Sequence, residues 1–346
     1  MAQAAKGWHK RGMKQTAAFA ALAFFALPLS AADKTVALAP GEIVTAAPAT
    51  DWTAIPASDL LIMDLAPDAK GMPRRVVIQL MPPPFSAGWI GNIRKLAAAQ
   101  WWDGTSVNRV QDNYVVQWGD ASEKKALPQG LAAVPENGYE TTQSNEIRRH
   151  FVDKITREEA TLLAAFRKSD GEAKIRAIKR AIPRDPYSDE TSVFQGWQIA
   201  KDSESGSYWP VHCYGMVGVG RDMPPNTGTG AELYTVIGHA PRHLDRNIAL
   251  VGRVIEGIEH LSSLPRGTGA LGFYETVGER VPIRSIRLAS EMETDKPLPT
   301  YEYLSTESAS FSAYADARAN RRDPFFIRPA GGADICNIPV PVRRAK

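Results

Sequence analysis

The chain has 346 residues, 44% hydrophobic, 23% charged and 8% aromatic, which excludes a disordered, collagenous or multi-span membrane protein and allows a full-sized core. Lys and Arg number 41 against 38 Asp and Glu, but Lys6, Lys10, Arg11 and Lys14 all precede the first acidic residue, Asp33, and setting these four aside leaves 37 against 38. A body so near neutrality carries no electrostatic footprint for nucleic acid or an anionic membrane, so neither is expected as a partner.

The basic stretch ending at Lys14 precedes the apolar run Ala17 to Leu29 and the small residues Ser30-Ala31-Ala32, the three parts of a secretory signal peptide. Thirteen apolar residues fall short of the ~20 that a spanning helix needs. Residues 1–31 are therefore expected to be cleaved, leaving a periplasmic or secreted protein without a membrane span. In that oxidising setting the only two cysteines, Cys213 and Cys336, can form a disulfide; they read equally well as two small buried hydrophobes.

Residues 33–57, rich in Ala, Pro and Thr and without period, read as an extended arm. Leu60 to Leu65 and Arg75 to Leu80 are apolar, β-branched runs bounded by Pro and Gly, hence strands. After a turn at Pro82-Pro83-Pro84, Ser86 is placed to cap a helix whose Ile90, Ile93, Leu96 and Ala97 form one apolar stripe. Thr105 to Val110 and Tyr114 to Trp118 are strand-like. From Ala121 to about Pro210 the chain turns polar and irregular, with 14 basic and 14 acidic residues. It holds one helical stretch, opened by the capping-box pair Thr156 and Glu159. Leu162, Leu163 and Phe166, then Ile175, Ile178 and Ile182, give it an apolar face; Gly171 divides it and Pro183 stops it. Its basic residues from Arg167 to Arg184 read as a solvated face. Strand texture returns at Tyr214 to Gly220, Leu233 to Ile237, Ile248 to Val254 and Val281 to Leu288, with a second helix from Glu256 to Leu264. A polar tail follows. Many short strands with two helices predict a mainly β, closed or sandwiched architecture.

Gly267-Thr-Gly-Ala-Leu-Gly272 satisfies the dinucleotide fingerprint as a string, but it follows a helix instead of a strand and lacks the context that puts a pyrophosphate on a helix N-terminus. His239 and His243 have the spacing of two metal ligands on one helical face; the intervening Pro241 argues for a loop, and no Glu completes a hydrolytic pair. No G-x-S-x-G elbow offers a nucleophile. No cofactor and no metal are expected.

The remaining constellation is Asn92-Ile-Arg-Lys-Leu96, Trp102-Asp-Gly-Thr105, Ser106-Val-Asn-Arg-Val110 and Asn113-Tyr-Val-Val-Gln-Trp-Gly-Asp120. Downstream come Tyr214-Gly-Met-Val-Gly-Val-Gly220, Pro225-Asn-Thr227, Gly230-Ala-Glu-Leu-Tyr234, Leu244-Asp245 and Gly252-Arg-Val-Ile-Glu-Gly257. In order and spacing these blocks resemble the cyclophilins, the peptidyl-prolyl cis-trans isomerases, over about Arg75 to Leu288 outside the middle insert. The resemblance implies a closed eight-stranded antiparallel barrel capped by two α-helices, with a helical insertion. The boundaries it implies are an arm over 32–69, a cyclophilin-like domain over 70–290 with its insertion at 121–210, and a C-terminal extension over 291–346. It implies that Arg109 is catalytic, that Tyr114, Val115, Tyr234 and Leu244 line a proline pocket, and that Gln117 holds substrate backbone. Gly220, Arg221, Glu232 and His243 belong to the same substrate-binding set. The insertion is expected to roof or extend the binding face, and the arm and tail to wrap the barrel, bringing Cys336 near Cys213.

The chemistry needs these residue types. Resonance raises the barrier to rotation about a peptide C–N bond to ~18 to 20 kcal/mol, and X-Pro bonds isomerise unaided only slowly. Neither a nucleophile nor a metal is required. An apolar pocket that grips the proline ring and a permanently charged donor aimed at the twisted amide suffice, and Arg is always protonated with five fixed donors. Several positions depart from the family pattern. Asn108 stands where His is usual, Trp118 where Gly is, Glu232 where Gln is, and Arg221 where Asn is. His243 replaces a frequent Trp and Ile248 a frequent His. The expected function is isomerisation of X-Pro bonds in exported polypeptides by a monomer; the alternative is a weakly active or inactive module that binds proline-containing peptides or one dedicated partner.

Overall fold

In the computed structural model, residues 36–168, 185–292 and 298–345 are described. The chain divides into two units, Met1–Val36 and Ala37–Lys346, and the fold described is that of the second. The expected signal peptide 1–31 lies outside the described residues, as do Gly171, Ile175, Ile178, Ile182 and Pro183.

The strands in chain order are β1 Trp52–Ile55, β2 Leu60–Leu65, β3 Arg74–Leu80, β4 Ser106–Val110, β5 Val115–Gly119, β6 Glu190–Phe194 and β7 Trp197–Asp202. They continue as β8 Ser207–Pro210, β9 Met216–Val219, β10 Leu233–Val236, β11 Leu250–Glu256, β12 Val281–Leu288, β13 Tyr301–Leu304 and β14 Val342–Arg344. The helices are α1 Pro40–Ala46, α2 Ala87–Ala98, α3 Asn145–Lys168, α4 Glu259–Ser262 and α5 Ala309–Ala319. Eight strands close into a barrel in the order β10-β5-β4-β12-β2-β3-β11-β9, each antiparallel to its neighbours. The mainly β, closed eight-stranded expectation therefore holds.

Alternation along the strands sends Leu61, Met63 and Leu65 of β2 and Val76, Ile78 and Leu80 of β3 into the barrel core, as a period of two requires. The opposite faces are not polar. Leu60, Ile62 and Val77 pack outward with Ile55 and Tyr301, because a second sheet in the order β1-β13-β14 covers them. The arm and the tail thus pair with each other in one three-stranded layer. This corrects two expectations. The stretch 33–57 is not merely extended: it carries α1 and β1. The barrel begins at Leu60, inside the segment 32–69 assigned to the arm, so the domain boundary moves from residue 70 to Leu60.

The α2 stripe is buried as expected, together with Trp89. Ser86, however, adopts φ 52 and makes no side-chain cap, since a left-handed residue cannot aim its hydroxyl at the first turn in the usual way. The second helix shortens to Glu259–Ser262. Within the insertion, α3 starts at Asn145, where the Ser144 hydroxyl accepts from the Ile147 amide at 3.2 Å. Thr156 lies in the helix interior and donates to the Val152 carbonyl at 3.0 Å, so it is not the cap. The insertion is also more than helical: β6, β7 and β8 form a three-stranded sheet. Its Ile147, Phe151, Phe194, Trp197, Ile199 and Trp209 join the same apolar core as the barrel. Arg253 of β11 fastens the β6–β7 turn. Its buried guanidinium donates to Gln79 Oε1 at 2.9 and 2.7 Å and to the Gly196 carbonyl at 2.7 Å, and it lies 4.6 Å from the Trp197 ring centroid. Burial pushes its pKa down to about 10.

Cys213 and Cys336 are joined in a disulfide with Cα atoms 5.1 Å apart, tying the tail to the start of β9. Among the described residues no helix is long and apolar enough to cross a membrane. Because the bond links positions 123 apart in sequence, its main contribution is expected from the unfolded chain. Replacing both cysteines by serine should lower unfolding stability by about 2–4 kcal/mol, read as a fall in the urea midpoint, with the far-ultraviolet circular dichroism of the native state unchanged.

Candidate active site

Three barrel strands place the central residues by register alone. Arg109 of β4 stands opposite Gln117 of β5, and Gln117 stands opposite Tyr234 of β10, so the three side chains form one row across the sheet. A register shift between Val107 and Arg109 lets Asn108 turn inward, where it is buried, while Arg109 faces out toward Gln117. A bulge of this kind re-aims one side chain without breaking the ladder on either side.

The row lines a cavity of about 660 Å³. Arg109, Tyr114, Val115, Gln117, Gly220, Arg221, Glu232, Tyr234 and Leu244 all lie on its wall, so nine of the ten residues assigned to the site from sequence meet there. His243 does not. It is exposed and stacks behind Tyr114, with ring centroids 6.4 Å apart, because the turn Arg242–Leu244 directs Leu244 inward and its neighbour outward. One end of the cavity is apolar: Val115, Tyr234 and Val236 form a buried cluster with Tyr114, Leu244 and Ile248 packed on it. Polar side chains also line the cavity: Asp120, Glu123, Lys125, Asp222 and Asn226. Of the insertion, Glu123, Lys125 and Leu127 line the cavity. Its start therefore forms part of the cavity wall, while its sheet packs into the core.

The guanidinium of Arg109 is held by neutral oxygens. Nε donates to the Leu271 carbonyl at 2.7 Å and Nη1 to Gln117 Oε1 at 3.1 Å, and Nη2 donates to Gln111 Oε1. The rings of Tyr114 and Phe273 flank it, with centroids 5.7 and 5.3 Å from the guanidinium carbon. No carboxylate pairs with it among the described residues. Burial lowers its pKa, yet an arginine starts so high that it stays charged at any physiological pH.

Gln111, Leu271 and Phe273 were not singled out from the sequence, since 162 residues separate Arg109 from Leu271 and no local pattern connects them. The glycine string that matched a nucleotide fingerprint explains the contact. A Cβ on Gly267 would sit 2.1 Å from the Gly272 carbonyl oxygen, and one on Gly272 would sit 2.7 Å from Gln111 Cα. The glycines therefore let the loop fold on itself and bring the Leu271 carbonyl to Arg109.

Glu232 lies beyond Gln117 from Arg109. Its carboxylate fills the space where a Cβ on Gly119 would be, 1.9 Å from Oε1, and its Oε2 is buried without a hydrogen-bond partner. Burial pushes the carboxyl up to about 7, against the pull of the Asp120 amide and the side chains of Gln117 and Asn108. At the rim, Arg221 is tied to backbone, donating from Nε to the Asn247 carbonyl at 3.0 Å and from Nη1 to the Asp222 carbonyl at 2.7 Å. Among the described residues no group of three or more His, Cys, Asp and Glu side chains is placed to hold a metal ion.

A family model described as cyclophilin type peptidyl-prolyl cis-trans isomerase/CLD matches residues 88–288. The chain belongs to the cyclophilin family. As such it is a peptidyl-prolyl cis-trans isomerase by type, and cyclophilins bind proline-containing peptides. The crystal structure of a cyclophilin from Hirschia baltica superposes with a TM-score of 0.55 at 20% identity, covering 85% of this chain and 94% of the other. That coverage exceeds what the barrel alone supplies, so the shared fold takes in more than the cyclophilin core. A crystal structure of a Cryptosporidium parvum cyclophilin type peptidyl-prolyl cis-trans isomerase, determined in the presence of the dipeptide Ala-Pro, has a TM-score of 0.35 at 9% identity and covers 66% of this chain and 98% of its own. A second structure of that protein has a TM-score of 0.35 at 11% identity and covers 68% and 99%. No curated protein sequence matches the chain.

The raised carboxyl of Glu232 sets a pH dependence for this cyclophilin. The stability gained by keeping the group neutral is complete below its ordinary value of 4.5 and is lost as pH rises through about 7, because the unfolded chain ionises first. The loss is on the order of 3 kcal/mol. Glu232→Gln should therefore leave the melting temperature unchanged near pH 4 and raise it at pH 8, measured by calorimetry across that range.

Proposed function

We propose that this cyclophilin isomerises X-Pro bonds of exported polypeptides, with Arg109 as the catalytic residue. The observation that carries the reading is the guanidinium held by neutral acceptors at the margin of an apolar pocket. A proline ring bound against Val115, Tyr234, Leu244 and Ile248 leaves the preceding amide beside Arg109. As the C–N bond twists, resonance is lost and the nitrogen becomes basic; a fixed, charged N–H donor stabilises that form more than the planar one. Gln117 aligns the donor from the side through its Oε1, and Gly220 keeps the wall beside the Gln117 amide free of a side chain. No group needs to gain or lose a proton during the turnover.

Export and a periplasmic or secreted location rest on the basic, apolar and small-residue parts of residues 1–32, and the pairing of Cys213 with Cys336 fits an oxidising compartment. The protein would act there on nascent or refolding chains as a monomer.

A second reading follows from Glu232. Once ionised, it adds a negative charge on the far side of Gln117 and draws on the field of Arg109, which favours a module that binds proline segments and turns them over slowly. A protease-coupled isomerisation assay on the mature protein separates the two. Wild type should exceed the uncatalysed rate, and Arg109→Ala should lose about a hundredfold in kcat/KM. A folded wild type that binds a proline peptide without accelerating its isomerisation would leave the binding module as the function.

A further inference from the structure

The aromatic wall of the proline pocket is tied to a buried polar chain that the proposed reaction does not use. Tyr234 lines the cavity with its ring, yet its hydroxyl points into the protein, 2.9 Å from His212 Nε2. The ring occupies a slot that only a glycine leaves open, for a Cβ on Gly218 would lie 2.3 Å from the hydroxyl oxygen. His212 Nδ1 is 2.8 Å from Asp245 Oδ1, which also accepts the His212 backbone amide at 3.0 Å. Asp245 Oδ2 accepts from Arg242 Nε at 2.6 Å, and Arg242 Nη1 donates to Asp185 Oδ2 at 2.8 Å. His212, Tyr234, Arg242 and Asp245 are all buried.

The proton positions follow from the chemistry of the ends. Burial holds the Tyr234 phenol well above its ordinary pKa, so its hydroxyl is protonated and can donate. Burial works to raise the pKa of Asp245, but the hydrogen bond from His212 and the Arg242 guanidinium outweigh it and hold the carboxyl below its ordinary value. Asp245 is therefore an acceptor only. An imidazole between a donor and an anion satisfies both when it carries its proton on Nδ1 and presents a lone pair at Nε2.

We infer that His212 is a positioning residue for the pocket: by accepting the Tyr234 hydroxyl at Nε2 it fixes the ring as the wall against which proline packs, while Asp245 and Arg242 hold the imidazole in the required tautomer. The inference rests on the reading of this cavity as the proline site. Without the acceptor, the hydroxyl is a buried donor with no partner, and it can be satisfied by swinging into the open cavity, where water is available and proline would sit. The damage should then appear in substrate binding. The chain also ends on the insertion at Asp185, and His212 is the neighbour of the disulfide-bonded Cys213, so both additions to the barrel converge behind this one ring.

The test is a rescue. His212→Leu should raise KM for a proline peptide about tenfold while kcat changes less than threefold, and the Kd of the same peptide should rise in parallel. Adding Tyr234→Phe removes the orphaned hydroxyl and should bring both constants down to those of Tyr234→Phe alone, since the buried donor left without an acceptor is gone. A brace serving stability alone would not be repaired by deleting a second polar group, so a double variant as impaired as the single one overturns the inference, as does a folded single variant with unchanged KM and Kd. Should His212→Leu fail to fold, nitrogen-15 NMR of the wild type decides. A protonated Nδ1 with an unprotonated, hydrogen-bonded Nε2 is expected, and a protonated Nε2 overturns it. Arg109→Ala, assayed alongside, keeps the two claims apart. Its loss of activity without rescue in the double variant condemns the positioning role alone. A wild type that neither turns over nor binds the peptide overturns both.

Discussion

A guanidinium held by uncharged oxygens is the constraint on which the rest depends. Had Arg109 been paired with a carboxylate, its field would be spent inside the protein and its donors occupied by an anion. Instead it is gripped by the Leu271 carbonyl and two glutamine side chains, Gln111 and Gln117, which fix its direction and leave its charge uncompensated. Such an arrangement is costly in isolation, because a partly buried cation prefers an anion. It persists because two paired strands, β4 and β5, and a glycine-rich loop hold the acceptors in place. The rings of Tyr114 and Phe273 add a weak attraction to its faces.

That rigidity comes from a barrel with both faces covered. On β2 and β3 alternate residues enter two different apolar clusters, one inside the barrel and one beneath the sheet formed by the arm and the tail. The insertion adds its own aromatic residues to the interior cluster, and Arg253 reaches from the barrel to the turn at Gly196. These additions are not appendages hung on a finished domain. They bury strand faces that would otherwise meet water, which is why Leu60 to Leu65 reads as a nearly continuous apolar run instead of an alternating one.

The sequence made the barrel legible because its information is local: short β-branched runs, turn residues between them, and blocks in a fixed order. Arg109, Gln117 and Tyr234 were legible for the same reason. What escaped depended on distant partners. Thr156 and Glu159 have the capping-box spacing, but tertiary packing of Ile147 and Phe151 extends the helix back to Asn145, past the local signal. The sheet Glu190–Pro210 was hidden by its polar residues and short strands. The glycine string at 267–272 could be rejected as a nucleotide site from its context, while its use as a carrier for the Leu271 carbonyl is visible only once Gln111 is seen beside it. His243 lies off the cavity wall, stacked on Tyr114, because adjacent residues in a tight turn point in opposite directions.

The central claim is that proline packs at the apolar end of this cavity with its preceding amide beside Arg109. A crystal structure of the mature protein with a short peptide containing an Ala-Pro bond tests it most directly. The account predicts the proline ring against Val115, Tyr234, Leu244 and Ile248, with an Arg109 nitrogen within hydrogen-bonding distance of the peptide. A proline ring seated against Glu123 and Lys125, or elsewhere on the surface with Arg109 still bound only to Leu271, Gln111 and Gln117, would contradict it.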